Sequence, residues 1–196
     1  MNALELNAAY VTTEAPTASI VDAARLRRQC RVDSASEDAD LLEWLATATK
    51  MIEDETSLFL RPQEGVLNLD RFPGGGCPIF VERFPIAEVT GITYLDTNGV
   101  RQTWDPELYI VGLSSLPPRI TPAFGQSYPT VRRQSECVQI AYTGGYSEAE
   151  VPPMAKQAAL MLVGFWYQNR EIVGDVPKNI EDSYRSFIRR ISWRAP

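Results

Sequence analysis

The chain of 196 residues contains no histidine. That absence removes the usual general base, the Ser-His and Cys-His nucleophile pairs and most zinc sites, leaving carboxylates and lysine for any acid–base work. Cysteine is scarce as well. Cys30, Cys77 and Cys137 are odd in number and far apart, which fits reduced thiols in a cytosolic product and not a disulfide framework. No apolar run approaches the ~18–20 residues needed to cross a bilayer. The opening MNALELNAAYVTTEAP has neither the basic start nor the apolar stretch of a secretory signal. Positive charge is in deficit too: 19 Lys and Arg against 25 Asp and Glu leave a net charge of −6, which argues against a general nucleic-acid-binding surface.

What is present reads as an ordinary globular chain. Hydrophobic residues make up 44% and charged residues 22%, which excludes wholesale disorder, and the length suits one buried core or one core plus a lobe. Residues 1–16 read as an extended arm ending at Pro16. Thr17 or Ser19 can cap a first helix over 20–30 that carries Arg25, Arg27 and Arg28. Ser34 with Glu37 has capping-box spacing before a second helix, whose apolar positions Leu41, Trp44, Leu45, Ala48, Met51 and Ile52 recur at helical intervals. Its outer face holds Glu37, Asp38, Asp40, Glu43, Glu53, Asp54 and Glu55 against the single Lys50.

From about residue 59 the character changes. Short β-rich runs are expected at 65–69, 79–81, 89–95, 100–104, 108–111 and 138–142, with loops at 71–78, 114–118 and 121–134. Asn98-Gly99, between GITYL and VRQTW, is a strong hairpin signal. Val151-Pro152-Pro153 then launches a helix that is apolar on nearly every face from Ala158 to Tyr167. Such a helix is either the centre of a core or covered on its exposed side by another subunit. A last helix follows Pro177, with Ile180, Tyr184, Phe187, Ile188 and Ile191 along one stripe and Arg185, Arg189, Arg190 and Arg194 off it. The fold class is therefore α+β: a mainly helical core of two N-terminal and two C-terminal helices with a β-rich insertion between them. The divisions are an arm at 1–16, a helix pair at 17–58, the insertion at 59–146, a second pair at 147–191 and a tail at 192–196, in a single folded domain.

Several clusters invite a chemical reading. Gly74-Gly75-Gly76 lacks the lysine and Ser/Thr of a phosphate loop and reads as a flexible surface loop. Seven acids along an apolar-backed helix usually mark a solvated face; a catalytic pair would need a cleft and shifted pKa values. The basic stripe of Arg25, Arg27, Arg28 and Arg31 fits pairing with that acidic helix, within the chain or across an interface. Phe165-Trp166-Tyr167 fits a core better than a base-stacking platform. Phe187, Trp193 and the tail arginines are of the types enriched at interface hot spots.

The stretch AYTGGYSEAEVPPMAKQAALMLVGFWYQNRE at 141–171 combines a strand, a double-glycine turn, a Pro-started helix and an aromatic-to-NRE ending. With FPIAEVTGITYLDTNGV at 84–100 and the helix–β–helix order, it resembles the head-tail connector (adaptor) proteins of long-tailed bacteriophages. The chain departs from that pattern in its longer 119–134 loop and its Trp193-bearing tail. The resemblance implies a non-enzymatic virion subunit, assembled in the bacterial host cytoplasm into a twelve-fold ring under the portal. The ring would meet a stopper or tail-completion protein below and pass double-stranded DNA without sequence-specific binding, with no cofactor, metal or membrane involved. On that reading Phe187, Arg189, Arg190, Trp193 and Arg194 would face the portal. Glu43, Glu53 and Asp54 would line the channel, and Arg25, Arg27, Arg28 and Trp166 would lie between subunits. The rivals are another neck component such as a stopper, expected to be a β-barrel without helix pairs, and a small carboxylate-dependent hydrolase, expected to gather two or more acids in a pocket.

Overall fold

The computed structural model describes residues 8–14, 16, 18–170 and 177–192. The chain divides into two compact units, one built on residues up to 16 together with 62–145, the other on 17–61 together with the chain from 146 onward. The described residues hold four α-helices and two antiparallel sheets.

In the helical unit, α1 (Ala23–Cys30) starts where Asp22 accepts a hydrogen bond from the Arg25 amide at 2.6 Å. The expected cap at Ser19 does not form, because its hydroxyl donates to the Val21 carbonyl instead; Thr17 lies outside the described residues. α2 (Asp38–Thr56) also begins differently from expectation. Ser34 caps a 3-10 turn over Ala35–Glu37 through the Ser36 amide, so no capping box closes, and Glu37 reaches Arg170 instead. Leu41, Leu45, Ala48 and Ile52 form the buried stripe of α2. Thr49 and Thr56 sit buried beside it, and each hydroxyl donates to the carbonyl one turn back.

Pro152 is extended and Pro153 opens α3 (Pro153–Gln168), as the missing N–H allows. Ala155, Ala158, Ala159, Leu160, Leu162, Val163 and Gly164 are buried, and α3 packs against α1, α2 and α4 (Lys178–Ile191). Within the apolar stretch 158–167, Met161, Phe165, Trp166 and Tyr167 are half-buried in the single chain, which leaves the expected covering by another subunit untested. On α4 the stripe expected from the sequence faces inward, with Tyr184 and Ile188 buried.

The β unit is more than an insertion. Its edge strand β1 (Ala9–Glu14) comes from the segment read as an arm and pairs antiparallel with β2 (Gln63–Leu69). The main sheet also takes in β4 (Ile86–Leu95), β5 (Arg101–Thr103) and β8 (Val138–Gly144), in the order β1-β2-β8-β4-β5. β8 shows the clean alternation of a strand with one buried face, with Val138, Ile140 and Tyr142 turned inward. β3 (Ile79–Phe80), β6 (Tyr109–Gly112) and β7 (Arg119–Pro122) form the second sheet, in the order β3-β7-β6. β7 runs into the stretch expected to be loop. Ile120 pairs with Val111 of the preceding strand and with Ile79, some forty residues earlier, and a four-residue run ending in Pro122 carries little signal of its own.

Phe72, Trp104, Tyr109 and Tyr128 cluster in the β unit with ring centroids 4.9–5.5 Å apart in successive pairs. The Tyr128 hydroxyl donates to the Cys77 carbonyl at 2.8 Å with the Ile120 carbonyl 3.2 Å away, and burial pushes its pKa up to about 12. The expected hairpin forms between β4 and β5, pairing Thr93 with Thr103 and Leu95 with Arg101. The Asp96 carboxylate accepts from the Asn98 and Val100 amides within its turn, which holds its pKa below the usual value.

Gly65 marks the closest approach in the main sheet. A Cβ there would stand 2.6 Å from the Tyr142 hydroxyl and 2.9 Å from the Val11 carbonyl oxygen. Gly65→Ala is expected to destabilise the protein by ~1–3 kcal/mol through overpacking, because a β1 backbone atom must move as well as a side chain. Urea denaturation measures this, and an unchanged midpoint would show that β1 yields freely.

Candidate interaction surfaces

The seven acids of the second helical segment do not form one solvated row. Arg27 pairs with Asp38 at 2.9 Å, Lys50 with Asp54 at 2.8 Å, and Arg170 with Glu37. The Tyr184 hydroxyl donates to Glu55 at 3.0 Å, and burial is the first cause of that tyrosine's raised pKa. Asp40, Glu43, Asp54 and Glu55 are exposed.

Glu53 is the correction. Its residue is 3% exposed, and it accepts from the Leu60 amide at 2.9 Å and pairs with Arg61 at 3.4 Å. The reason is helical phase: position 53 falls with the buried Thr49, Ile52 and Thr56, so its side chain points inward and cannot line a channel. Burial raises its pKa, opposed by the Arg61 charge and the Leu60 hydrogen bond. The carboxylate thus holds residues 60 and 61 where the chain leaves the helical unit. Beside it, the Tyr146 amide donates to the Phe59 carbonyl at 3.2 Å, tying the returning chain to the departing one.

Of the residues expected between subunits, Arg25 and Arg28 are exposed on α1, Arg27 is taken up by Asp38, and Trp166 is half-buried on α3. Among those expected at the portal, Phe187 is half-buried, and Arg189 and Arg190 are exposed in the last turn of α4, where the helix dipole favours positive charge. Trp193 and Arg194 lie outside the described residues.

Two features escaped the sequence reading. At the end of α3, Arg170 lies 4.6 Å from the Tyr167 ring centroid and 5.9 Å from that of Trp44, while its guanidinium pairs with Glu37. The NRE ending is therefore a cation on an aromatic pair, not just a helix stop. The β unit also exposes large apolar side chains: Leu116 at 66%, Ile110 at 56% and Phe124 at 102%. For Phe124 the available signal was the uncharged run of residues 120–131 between Arg119 and Arg132.

Two grooves open on the helical unit. One, of about 360 Å³, is lined by Asp22, Arg25, Glu148 and Lys156 among others. Asp22 caps α1 through the Arg25 amide, and the Lys156 ammonium is taken up by the main-chain carbonyl of Glu148. The other, of about 740 Å³, lies among Met51, Leu162, Ile180 and Tyr184. No group of three or more Cys, Asp or Glu among the described residues could hold a metal ion, and none of their helices is long and apolar enough to cross a membrane.

No protein-family model matches the chain, and no curated protein matches it. Solved structures do. A chain in the virion of a native gene transfer agent (GTA) particle superposes with a TM-score of 0.76 at 22% identity, covering 95% of this chain and 97% of that one. A chain in the neck of an empty GTA particle, computed with C6 symmetry, gives 0.76 at 22% identity over 96% and 97%. A chain in the neck of a native GTA particle, computed with C12 symmetry, gives 0.73 at 21% identity over 96% and 97%. The chain shares their fold across both of its units.

Glu53 yields a pH test. A carboxyl whose folded pKa is raised is more protonated in the folded than in the unfolded state, so its contribution to stability grows as pH falls through that window. Glu53→Gln removes the titration. Wild type is therefore expected to gain stability relative to Glu53→Gln as pH drops from neutral toward the ordinary carboxylate range. Denaturation midpoints at several pH values measure the difference, and parallel curves would show that Glu53 titrates as it does in the unfolded chain.

Proposed function

We propose that the chain is a structural subunit of the neck of a tailed phage or phage-like particle, a head-tail connector that closes into a twelve-membered ring beneath the portal. The observation that carries this reading is the fold match over nearly the whole length of both chains, to neck structures computed with six-fold and twelve-fold symmetry. The four-helix unit supports a connector over a stopper, for which a β-barrel without helix pairs is expected. Glu53, the one acid of the second helical segment that is fully buried, is spent on Leu60 and Arg61, which lends nothing to the hydrolase reading.

The mechanism is geometric. Head-to-tail interfaces that close generate a ring, and the ring extends the channel through which DNA passes. Its acidic lumen would repel phosphates and keep DNA from adhering. Glu43 and Asp54 remain candidates for that wall. Arg25, Arg28 and Trp166 serve the subunit interface, and the end of α4 (Phe187, Arg189 and Arg190), continued by Trp193 and Arg194, serves the portal. The ring's lower face meets a stopper or tail-completion protein. Assembly takes place in the bacterial host cytoplasm, and the protein resides in the virion neck.

Mass photometry of the protein with and without its portal is expected to reveal a closed ring, formed on the portal if not alone. A strict monomer or dimer in both samples overturns the reading. For the channel, lysine in place of Glu43 and Asp54 should leave the fold intact while slowing DNA passage at low salt and restoring it at high salt. Release rates equal to wild type at low salt would put that face elsewhere. Deleting 192–196 spares the buried stripe through Ile191, so melting should hold while co-sedimentation with portal weakens. Unchanged binding would assign the portal contact to another surface.

A further inference from the structure

In the second sheet β6 has β7 on one side and, among the described residues, no strand on the other. The Ala123 amide donates to the Leu108 carbonyl at 2.9 Å, and the ladder continues through Ile110–Thr121 and Gly112–Arg119. Main-chain groups alternate in direction along an antiparallel ladder. Residues 108, 110 and 112 therefore turn toward β7, while Val111 turns its N–H and C=O, and Tyr109 its C=O, to the open edge. Edges of this kind are normally guarded by charge, proline or a bulge. β6 has none of these: its residues are uncharged, it contains no proline, and its register with β7 is unbroken.

The side chains along this edge have a definite chemistry. Ile110 is 56% exposed, and no charged residue occurs from Leu108 to Pro118. Gly112 pairs directly with Arg119, and a Cβ at Gly112 would stand 3.2 Å from the Arg119 Cγ and 3.5 Å from its Nε. Gly112 does not have a positive φ, so glycine serves here for space and not for conformation. The Arg119 stem fills that space, leaning from β7 over β6 on the face that carries Ile110. Among the described residues its guanidinium has no partner. At the other end of the edge stand the exposed Asp105 and Glu107.

We propose that the open edge of β6 binds an extended segment of a partner protein that carries a carboxylate. The segment pairs through its main chain with Val111, lays an apolar side chain beside Ile110 and delivers the carboxylate to Arg119. This is strand addition, in which ladder bonds hold the backbone and side chains select the sequence. The open groups of Val111 call for extended backbone. On so short an edge antiparallel pairing is favoured, because it lets one residue exchange both bonds with Val111. Residues on either side of that one share the outer face, so the segment reads acid, any residue, apolar residue from its N-terminal end. Asp105 and Glu107 repel an acid placed at the opposite end. A second copy's β6 does not qualify: centred on Val111, it would set Ile110 against Gly112 and bring Arg119 no anion. The site is independent of the ring reading, since a monomer can carry it.

The probes are two labelled, end-capped peptides, Thr-Glu-Thr-Val-Thr and its reverse Thr-Val-Thr-Glu-Thr, titrated against the full chain by fluorescence anisotropy. The first is expected to bind and the reverse to bind more weakly. N-methylation of the first peptide's central threonine should abolish binding, because it removes the donor aimed at the Val111 carbonyl. Glutamine in place of the peptide's glutamate should weaken binding by about tenfold, and that difference should vanish with Arg119→Gln. Hydrogen exchange at the Val111 amide should slow when the peptide is bound. No binding at millimolar peptide overturns the proposal, as does equal binding by the reverse, N-methylated or glutamine peptide. Val111 protection that rises with protein concentration alone assigns the edge to a second copy and overturns it too. If Arg119→Gln melts below wild type, the peptide substitutions decide, since they are read on the unaltered protein.

Discussion

The packing of α3 against three other helices is the constraint on which the helical unit depends. A helix of sixteen residues with Ala155, Ala158, Ala159, Leu160, Leu162 and Val163 buried cannot persist alone in water. Each large aliphatic side chain removed from solvent contributes about 1.5–3 kcal/mol, and collecting that gain requires α1, α2 and α4 to gather around one axis. The small residues at 155, 158 and 159 let the neighbouring helices approach closely. The unit is thereby assembled from two stretches of chain separated by the whole β region, and any change in α3 is felt by both.

That arrangement makes the passage between units a fixed point in the helical unit. α2 ends at Ser57 in a left-handed conformation, and within four residues the chain is seized by the Glu53 carboxylate through the Leu60 amide and Arg61. A buried carboxylate is costly to desolvate, and its retention here is explained by what it holds. The hydrogen bond from Tyr146 to Phe59 sets the return beside the exit. This pair of contacts fixes, on the helical side, where the chain leaves the unit and where it returns.

The surfaces divide by chemistry. Most of the acids that look like a continuous negative face in the sequence have local partners: Asp38 with Arg27, Glu37 with Arg170, Asp54 with Lys50 and Glu55 with Tyr184. Such pairs between exposed groups add little stability, but their cations offset part of the negative charge along this segment. The apolar tips of the β unit have no such compensation. Phe124 and Leu116 stand out with their side chains exposed.

Local chemistry was enough to read much of this chain. The Pro-started apolar helix, the stripe on α4, the Asn-Gly hairpin and the β-rich run at 138–142 each follow from side-chain preference or turn chemistry acting over a few residues, and all appear where those rules put them. The tertiary structure alone decided what depends on distant partners. β1 is a strand because β2 lies beside it, and β7 because Ile79 and Val111 flank it; neither segment carries enough pattern to declare itself. Glu53 points inward because a step of one residue, roughly 100° of helical phase, separates it from the exposed Asp54, a difference that composition cannot register. The capping box at Ser34 gave way because a 3-10 turn placed Glu37 beside Arg170, more than a hundred residues away. Sequence determined which elements could form and which faces they would bury; which charged and apolar groups remained for a partner was settled by which of them found one inside the fold.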